Sequence, residues 1–229
     1  NDTEAIIFKT GTDGDSLWCK YYTQSDRNDI GEAIIEHQQR YHVITTSSAI
    51  GDINLSRIRI LNTNTNGGFP TDYRFNEDYY SGEDIVALSE AGNLYILGNV
   101  IDPGTRKSSI FLAELELTYN GSLTNLRRSW MIPYDESLHA ASFAPVGQDG
   151  LAIGGWQGPT TDSKILFLLV NVNNPLQPEM LNTFGPKGTP ASHNIIYTRD
   201  EGYALTGSIG LAGGKTTMLL KIDSNGELN

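Results

Sequence analysis

The chain has 229 residues and a formal net charge of −11, with 38% hydrophobic and 19% charged residues. That length can bury a full core, and the low charged content together with 11 Tyr argues against intrinsic disorder. The acidic balance argues against binding to nucleic acid or to an anionic membrane surface. No apolar run approaches the roughly 20 residues of a transmembrane helix. The single cysteine, Cys19, excludes an internal disulfide and a multi-cysteine metal site.

Turn-forming pairs recur along the chain. Gly14, Gly67, Gly121 and Gly226 each follow Asp or Asn, at separations of 53, 54 and 105 residues, the last close to two periods. Apolar strands flank these pairs, which is the pattern of a β-hairpin because Asn-Gly supplies the positive φ of a tight turn. The strands predicted for these hairpins are 5–8, 17–22, 53–61, 73–75, 110–117, 126–132, 165–172, 180–184 and 218–222.

A second set of hairpins lies between the first. Its strands begin at Glu32, Glu83, His139 and His193, which we align as equivalent positions, and return through 41–45, 94–98, 151–155 and 203–207. Each repeat therefore holds four short strands, and no apolar stripe has a helical period. Such repeats are typical of β-propeller blades, which bury both faces by stacking. A two-sheet sandwich is the alternative, but it does not predict a period of one four-stranded unit.

We therefore predict an all-β chain that forms a single β-propeller domain over residues 1–229. Its repeat units are 1–31, 32–82, 83–138, 139–192 and 193–229, about four and a half four-stranded blades. We expect the ring to be incomplete, because both ends of the chain supply the same kind of hairpin and cannot complete one blade together. Further repeats, or another chain, would then cover the open sheet edge.

The final third carries a more specific pattern. Residues 198–207 read T-R-D-E-G-Y-A-L-T-G and are flanked by N-T-F-G at 182–185 and L-L-K-I-D-S-N-G at 219–226. These stretches resemble pieces of a repeat, T-x-D-G-G-Y-x-x-x-G, T-F-G-G and L-x-K-x-D-x-N-G, found in secreted and lipoprotein-type β-propellers of bacteria, especially Bacteroidetes. Glu201 replaces a glycine of that pattern. The resemblance implies an exported bacterial protein, at the outer membrane, on the cell surface or in the periplasm, and no particular activity.

Several familiar sites lack the pattern that they require. The acidic turns at 13–15 and 223–227 do not have the spacing of a calcium loop and are explained by turn chemistry. The glycine-rich stretch 210–214 precedes a strand, whereas a phosphate loop opens a helix. There is no nucleophile elbow. We predict no cofactor and no metal, including at the ring that Glu32, Glu83, His139 and His193 would form about a propeller axis.

Acidic and aromatic residues in the linkers between units are candidates for a functional face. The acids are Asp26, Asp29, Glu77, Asp78, Asp135 and Glu136, and the aromatic residues are Tyr79, Tyr80, Tyr134 and Trp156. Paired carboxylates can cleave glycosidic bonds, and aromatic side chains can contact sugars or peptides, although loop packing explains the aromatic residues better.

The absence of a recognisable catalytic motif favours a noncatalytic protein. We therefore expect a scaffold or protein-binding module of an exported bacterial envelope protein, whose partner is another protein, such as an outer-membrane component. The candidate binding residues are Tyr79, Tyr80, Tyr134, Trp156, Glu32, Glu83, His139 and His193. The alternative is a carbohydrate-binding or carbohydrate-cleaving propeller, with a glycan as its ligand.

Overall fold

The computed structural model of the chain describes every residue except 1–2, 23–25, 69–70, 76–77, 90–91, 119, 133–134, 160–161 and 212–213, and the side chains of 53–54, 186–187, 190–193 and 211. The regular secondary structure of the described residues consists of strands, which confirms the predicted all-β class. The strands are β1 (Ala5–Thr10), β2 (Ser16–Tyr22), β3 (Arg27–His37), β4 (Arg40–Ala49), β5 (Asp52–Asn64), β6 (Thr71–Arg74), β7 (Tyr80–Ala87), β8 (Leu94–Ile101), β9 (Ser108–Leu117), β10 (Leu123–Ile132), β11 (Leu138–Val146), β12 (Gly150–Gln157), β13 (Ser163–Asn171), β14 (Met180–Tyr197), β15 (Tyr203–Leu211) and β16 (Gly214–Ile222). A membrane-spanning helix is not found among these described residues.

Strands that are consecutive in the chain are neighbours in the sheets. β1 and β2 form a two-stranded sheet, β3–β6 and β7–β10 form four-stranded sheets, and β11–β16 form a six-stranded sheet. Each predicted strand overlaps an observed strand and extends at most one residue beyond either end of that observed strand. β1 and β16 belong to different sheets.

The predicted turn glycines adopt the backbone conformation for which glycine is favoured. Gly14, Gly67, Gly121 and Gly226 have φ values of 89°, 71°, 76° and 82°. Their amides donate hydrogen bonds to the carbonyl oxygens three residues earlier, at 2.9–3.1 Å. In the last of these turns the Asp223 carboxylate accepts hydrogen bonds from the backbone amides at 225 and 227. The aspartate therefore stabilises the turn, as the sequence predicts.

Strand β14 differs from the prediction. The sequence places residues 180–184 and the segment from His193 in separate repeat units, but the structure runs them together as one strand of 18 residues. Residues 180–184 and Gly188 pair with β13, and those from Thr189 pair with β15. The two units are therefore joined because β14 passes from its pairing with β13 to its pairing with β15 without leaving the extended conformation.

The chain divides into two compact units, Asn1–Ile96 with Glu114–Arg128, and Leu97–Ala113 with Ser129–Asn229. In the first unit, Ala5, Ile7 and Tyr22 of the β1–β2 sheet pack on Val43 and Leu61 of the β3–β6 sheet. The single propeller domain expected from the repeats remains a prediction.

The second unit has its own apolar core. Phe167 is fully buried at its centre, and the rings of Phe167 and Tyr203 lie 4.7 Å apart. The other buried members come from both halves of the six-stranded sheet: Ala144, Ala152, Ile165, Leu169, Ile195, Leu205 and Ile222. This core supports β12, β13 and β14, which line the site described next.

Candidate functional site

A polar cleft of about 380 Å³ lies in the second unit, where β12 ends and β13 begins. The described residues that line it are Glu136, Gln157, Pro159, Asp162, Lys164 and Thr183. Four of the six carry a carboxyl, amide or ammonium group, so the cleft presents hydrogen-bonding chemistry instead of an apolar surface.

An irregularity in the sheet coincides with the cleft. Ser163 pairs with Gly188 and Ile165 pairs with Phe184, so Lys164 on β13 faces three residues, 185–187, on β14. Gly185 accommodates the detour with a φ of 80°. Bulges of this kind interrupt the ladder, bend the strand and are frequent beside functional sites. We attribute the opening between Lys164 and Thr183 to this local loss of pairing.

The connection from β12 to β13 forms another wall. The Gly158 amide donates to the Ser137 carbonyl oxygen, and the Asp162 amide donates to the Pro159 carbonyl oxygen, both at 2.9 Å. The Ser163 hydroxyl also donates to the Pro159 carbonyl oxygen. These backbone contacts hold Asp162 at the cleft.

Gln157 carries an unfilled acceptor inside the cleft. Its Nε2 donates to Glu136 Oε2 at 3.0 Å, and an ionised carboxylate can only accept, so this bond fixes the orientation of the amide. Gln157 Oε1 is consequently left buried with no hydrogen-bond partner among the described residues. A buried acceptor without a donor is costly, and a ligand hydroxyl would relieve that cost.

Lys164 and Thr183 also have polar groups that could bind a ligand. Among the described residues, neither the Lys164 ammonium nor the Thr183 hydroxyl has a hydrogen bond or an ion pair, and both residues are half-buried. The cleft thus offers donors, acceptors and two carboxyl side chains to one ligand. Convergent polar groups of this kind suit a ligand that is rich in hydroxyl groups.

Trp156 and His139, two of the predicted binding residues, form a stacked pair on β12 and β11. Their ring centroids lie 4.9 Å apart with an interplanar angle of 14°, and burial lowers the pKa of His139. Trp156 precedes Gln157 in the strand, so its side chain points to the opposite face of the sheet. Neither residue lines the cleft.

Glu32 and Glu83, by contrast, lie in the first unit, where Thr46 contacts Glu32 and also Gly82, the residue before Glu83. The Thr46 hydroxyl accepts a hydrogen bond from the Gly82 amide at 3.0 Å and also hydrogen-bonds the Glu32 carboxyl. Although Glu32 has an exposed surface, burial of its carboxyl raises its pKa, and the bond to Thr46 partly offsets this. Glu83 accepts a hydrogen bond from the Ser81 hydroxyl at 3.0 Å.

The strand register corrects one predicted equivalence. Glu32, Ala141 and His193 are unpaired bulge residues. The residues that precede them pair with Thr45, Gly155 and Gly207, respectively. The third member of the set is therefore Ala141. His139 lies two residues earlier and pairs with Trp156. Aligning His139 with His193 because both are histidines therefore shifted the third repeat by two residues.

The predicted binding tyrosines that the structure describes differ in exposure. Tyr80 is buried, whereas Tyr79 is half-buried and has a φ of 72°, which is unusual for a bulky residue. Tyr134 and the side chain of His193 lie outside the described residues.

The linker acids divide between structural pairs and the cleft. Asp29 contacts Arg59 at 2.7 Å and Asp78 contacts Arg57 at 2.6 Å, while Glu136 lines the cleft. Asp26 and Asp135 are exposed, and Glu77 lies outside the described residues. No group of three or more potential metal ligands occurs within the described part of the chain.

Sequence reasoning did not identify Gln157, Asp162, Lys164 or Thr183. Their only common signal is position, at or near the ends of strands in one repeat. The detour in β14 that brings Lys164 and Thr183 to the cleft has no motif of its own.

No protein-family model matches the chain, and no curated protein matches it. Several solved structures are similar in fold. A lignostilbene dioxygenase from Pseudomonas brassicacearum has a TM-score of 0.56 and 10% identity, over 98% of this chain and 55% of that one. A GH43 β-1,3-galactosidase has a TM-score of 0.53 and 11% identity, over 97% and 60% of the two chains. An endo-arabinase from Bacteroides thetaiotaomicron has a TM-score of 0.51 and 13% identity, over 97% and 87%.

These similarities correct the expectation of a noncatalytic protein. All three structures are of enzymes, so the lack of a sequence motif was no ground for excluding catalysis. Catalytic groups can converge from separate strands and loops, and then leave no contiguous motif. The chain spans 55% and 60% of the lengths of the first two proteins. At these identities the comparison shows the fold alone, which is β-propeller-like and all-β.

Proposed function

We propose that the chain acts on carbohydrate, and that the polar cleft binds a glycan and hydrolyses a glycosidic bond. The observation that carries the proposal is the unfilled hydrogen-bonding capacity of the cleft, where Gln157 Oε1, the Lys164 ammonium and the Thr183 hydroxyl have no partner among the described residues. Two carboxyl side chains, of Glu136 and Asp162, line the same cleft. Sugars present many hydroxyl groups that both donate and accept. Two of the similar folds, the β-1,3-galactosidase and the endo-arabinase, support the same class of substrate.

The two carboxyl residues of the cleft would have different roles in hydrolysis. Hydrolysis needs one protonated carboxyl group to deliver its proton to the glycosidic oxygen as the C–O bond breaks, and one carboxylate on the other side. Glu136 accepts a hydrogen bond from the Gln157 amide, which orients its carboxyl group in the cleft. We assign Glu136 as the carboxylate that takes a proton from the attacking water, and Asp162 as the proton donor.

The experiment screens polysaccharides, oligosaccharides and aryl glycosides for release of reducing sugar and for binding by calorimetry. Glu136→Gln and Asp162→Asn should each lower kcat/KM by about 100-fold or more, the usual contribution of an acid or base. Asp162→Asn should recover activity on an aryl glycoside whose leaving group needs no proton, and Glu136→Gln should not.

Glu227→Gln is the matched control, because it removes an exposed carboxylate outside the cleft. Glu32→Gln tests the competing location, since the raised pKa of Glu32 also suits a proton donor. A selective loss in Glu32→Gln would move the active site to the first unit. Binding without hydrolysis would limit the function to recognition, and failure of both across the panel would overturn the proposal.

The proposal for the fold is that the four-stranded sheets are blades of a propeller whose ring is incomplete in these 229 residues. The repeat period of the turn glycines supports it. An exported bacterial location and a partner at the outer membrane remain predictions from the resemblance of the final repeat.

A further inference from the structure

We propose that the cleft selects acidic sugars, and that the Lys164 ammonium binds the carboxylate of a hexuronic acid residue. This inference rests on the proposed function and names its substrate class. It goes beyond that function because a neutral glycan would bring no anionic group to the Lys164 ammonium.

Lys164 has no partner within the described part of the protein. Its ammonium has no hydrogen bond or ion pair there, although the residue is half-buried. Among the side chains that the structure describes, it is also the single cation that lines the cleft. A partly desolvated ammonium interacts more strongly with an anionic oxygen than with a neutral hydroxyl.

Thr183 supplies a second donor near Lys164. Thr183 pairs with Leu166, two residues from Lys164, so the two cleft residues lie on the same side of β13 and β14 and both can donate. Asp162 precedes Lys164 by two residues and Glu136 lies before β11, but Lys164 forms no ion pair with either carboxyl group among the described residues. The Lys164 ammonium and the Thr183 hydroxyl can therefore both donate to an anionic group of a ligand.

The neighbour of Lys164 in the sheet could bind the same sugar residue. Gln157 is its direct partner across β12 and β13, and the unpartnered Gln157 Oε1 can accept a hydrogen bond from a sugar hydroxyl. A uronic acid carries hydroxyl groups close to its carboxylate, so one residue could satisfy both side chains.

The test compares paired ligands. Oligosaccharides of galacturonic, glucuronic and mannuronic acid are each measured by calorimetry against their methyl esters, which keep the sugar and remove the charge. We expect at least one acid to bind about tenfold more tightly than its ester, a difference of about 1.4 kcal/mol. Because the net charge of the chain is −11, long-range electrostatics opposes this preference, and a preference for the acid must come from a local contact.

The Lys164→Gln variant keeps a hydrogen-bonding group and removes the charge, so the ratio of acid to ester affinity should fall to about one. Lys215→Gln is the control, because it removes an exposed lysine outside the cleft and should preserve the ratio. If neutral glycans bind or are cleaved and no acid binds more tightly than its ester, this inference fails and the proposed function stands. If Lys164→Gln leaves the preference intact, the assignment to Lys164 fails. If no glycan of any kind binds, both fail.

Discussion

At the scale of single residues, the first unit buries an ion pair whose members cannot be removed independently. Arg59 and Asp29 are almost fully buried, and Arg59 Nη1 lies 2.7 Å from Asp29 Oδ2. Arg59 Nε also contacts Asp72 Oδ2 at 3.1 Å, and the more exposed Arg74 contacts the same oxygen at 2.7 Å. Asp72 therefore has one buried and one exposed arginine, which makes a matched comparison possible.

Arg59→Met should destabilise the protein by about 3–5 kcal/mol, because it leaves the Asp29 carboxylate buried without its counter-charge. Arg74→Met removes the exposed arginine from the same aspartate and should cost less than about 1 kcal/mol. Urea denaturation of the two variants measures both changes. Equal losses in the two variants would show that burial of the pair does not determine its importance.

His42 is a buried base in the same unit. Its Nε2 lies 3.3 Å from the His37 carbonyl oxygen and its Nδ1 lies 3.0 Å from Asn62 Nδ2, so the neutral ring satisfies both neighbours. Burial lowers its pKa from 6.5 to about 4. Between these two values the unfolded chain binds more protons than the folded one, so stability falls as the pH falls through that window.

His42→Gln should reduce the difference in unfolding free energy between pH 7 and pH 4 by about 3 kcal/mol, the equivalent of this pKa difference. The variant is expected to be less stable than the parent at pH 7, so the comparison concerns the pH difference and not the absolute value. Denaturant titrations at each pH provide the measurement. A pH difference that matches the parent would assign the acid sensitivity to other groups.

At the scale of strands and turns, the bulges at Glu32, Ala141 and His193 constrain the strand that runs beside them. In the third repeat, a Cβ atom at Gly155 would lie 1.9 Å from the His139 carbonyl oxygen. At Gly31, beside the first bulge, a Cβ atom would meet nothing within 4 Å. The strand that faces the bulge at Ala141 therefore has no room for a side chain at Gly155, whereas the bulged strand β3 has room for one at Gly31.

Gly155→Ala should destabilise the protein by about 1–3 kcal/mol or more, because the methyl group meets backbone that can move only by disturbing β11. Gly31→Ala should be neutral or stabilise by up to about 1 kcal/mol through the lower entropy of the unfolded chain. Thermal and urea unfolding distinguish the two. A tolerated Gly155→Ala would mean that the strands there separate easily.

The strands were predictable and the cleft was not, for physical reasons that these elements illustrate. Strand β13 reads as a short apolar run ahead of a turn pair, Asn174-Pro175, which is local information. Lys164 becomes part of a site because β14 makes a detour opposite it, and that depends on a partner strand about twenty residues away in the sequence. The buried Gln157 acceptor likewise depends on its bond to Glu136, which lies in another segment.

At the scale of the whole molecule, sheets differ in how many of their faces are covered. Central strands such as β9, β12 and β13 are buried on both faces over most of their length. The β1–β2 sheet buries Ala5, Ile7 and Tyr22 on one face, but its other face exposes Ile6, Phe8 and Tyr21 by 56%, 57% and 62%. An apolar face of this kind is a common site of association.

Phe8→Ser combined with Tyr21→Lys should lower self-association and the binding of an apolar dye, with little change in stability because both side chains are exposed. Ile7→Ser, on the covered face of the same strand, should cost about 2–5 kcal/mol. Sedimentation velocity and dye fluorescence measure the first effect, and denaturation measures the second. Unchanged association in the double variant would show that this face does not self-associate.

The same face also carries a chemical handle. Cys19 pairs with Phe8 across β1 and β2, is exposed, and is the single cysteine of the sequence. A thiol reagent therefore attaches one reporter at one known place, in the middle of the apolar surface. Its rate of labelling is rapid while that surface meets solvent and slow once another protein surface covers it. Labelling in a crude extract and after purification would thus reveal, without any engineered residue, whether the face is occupied before the protein is isolated.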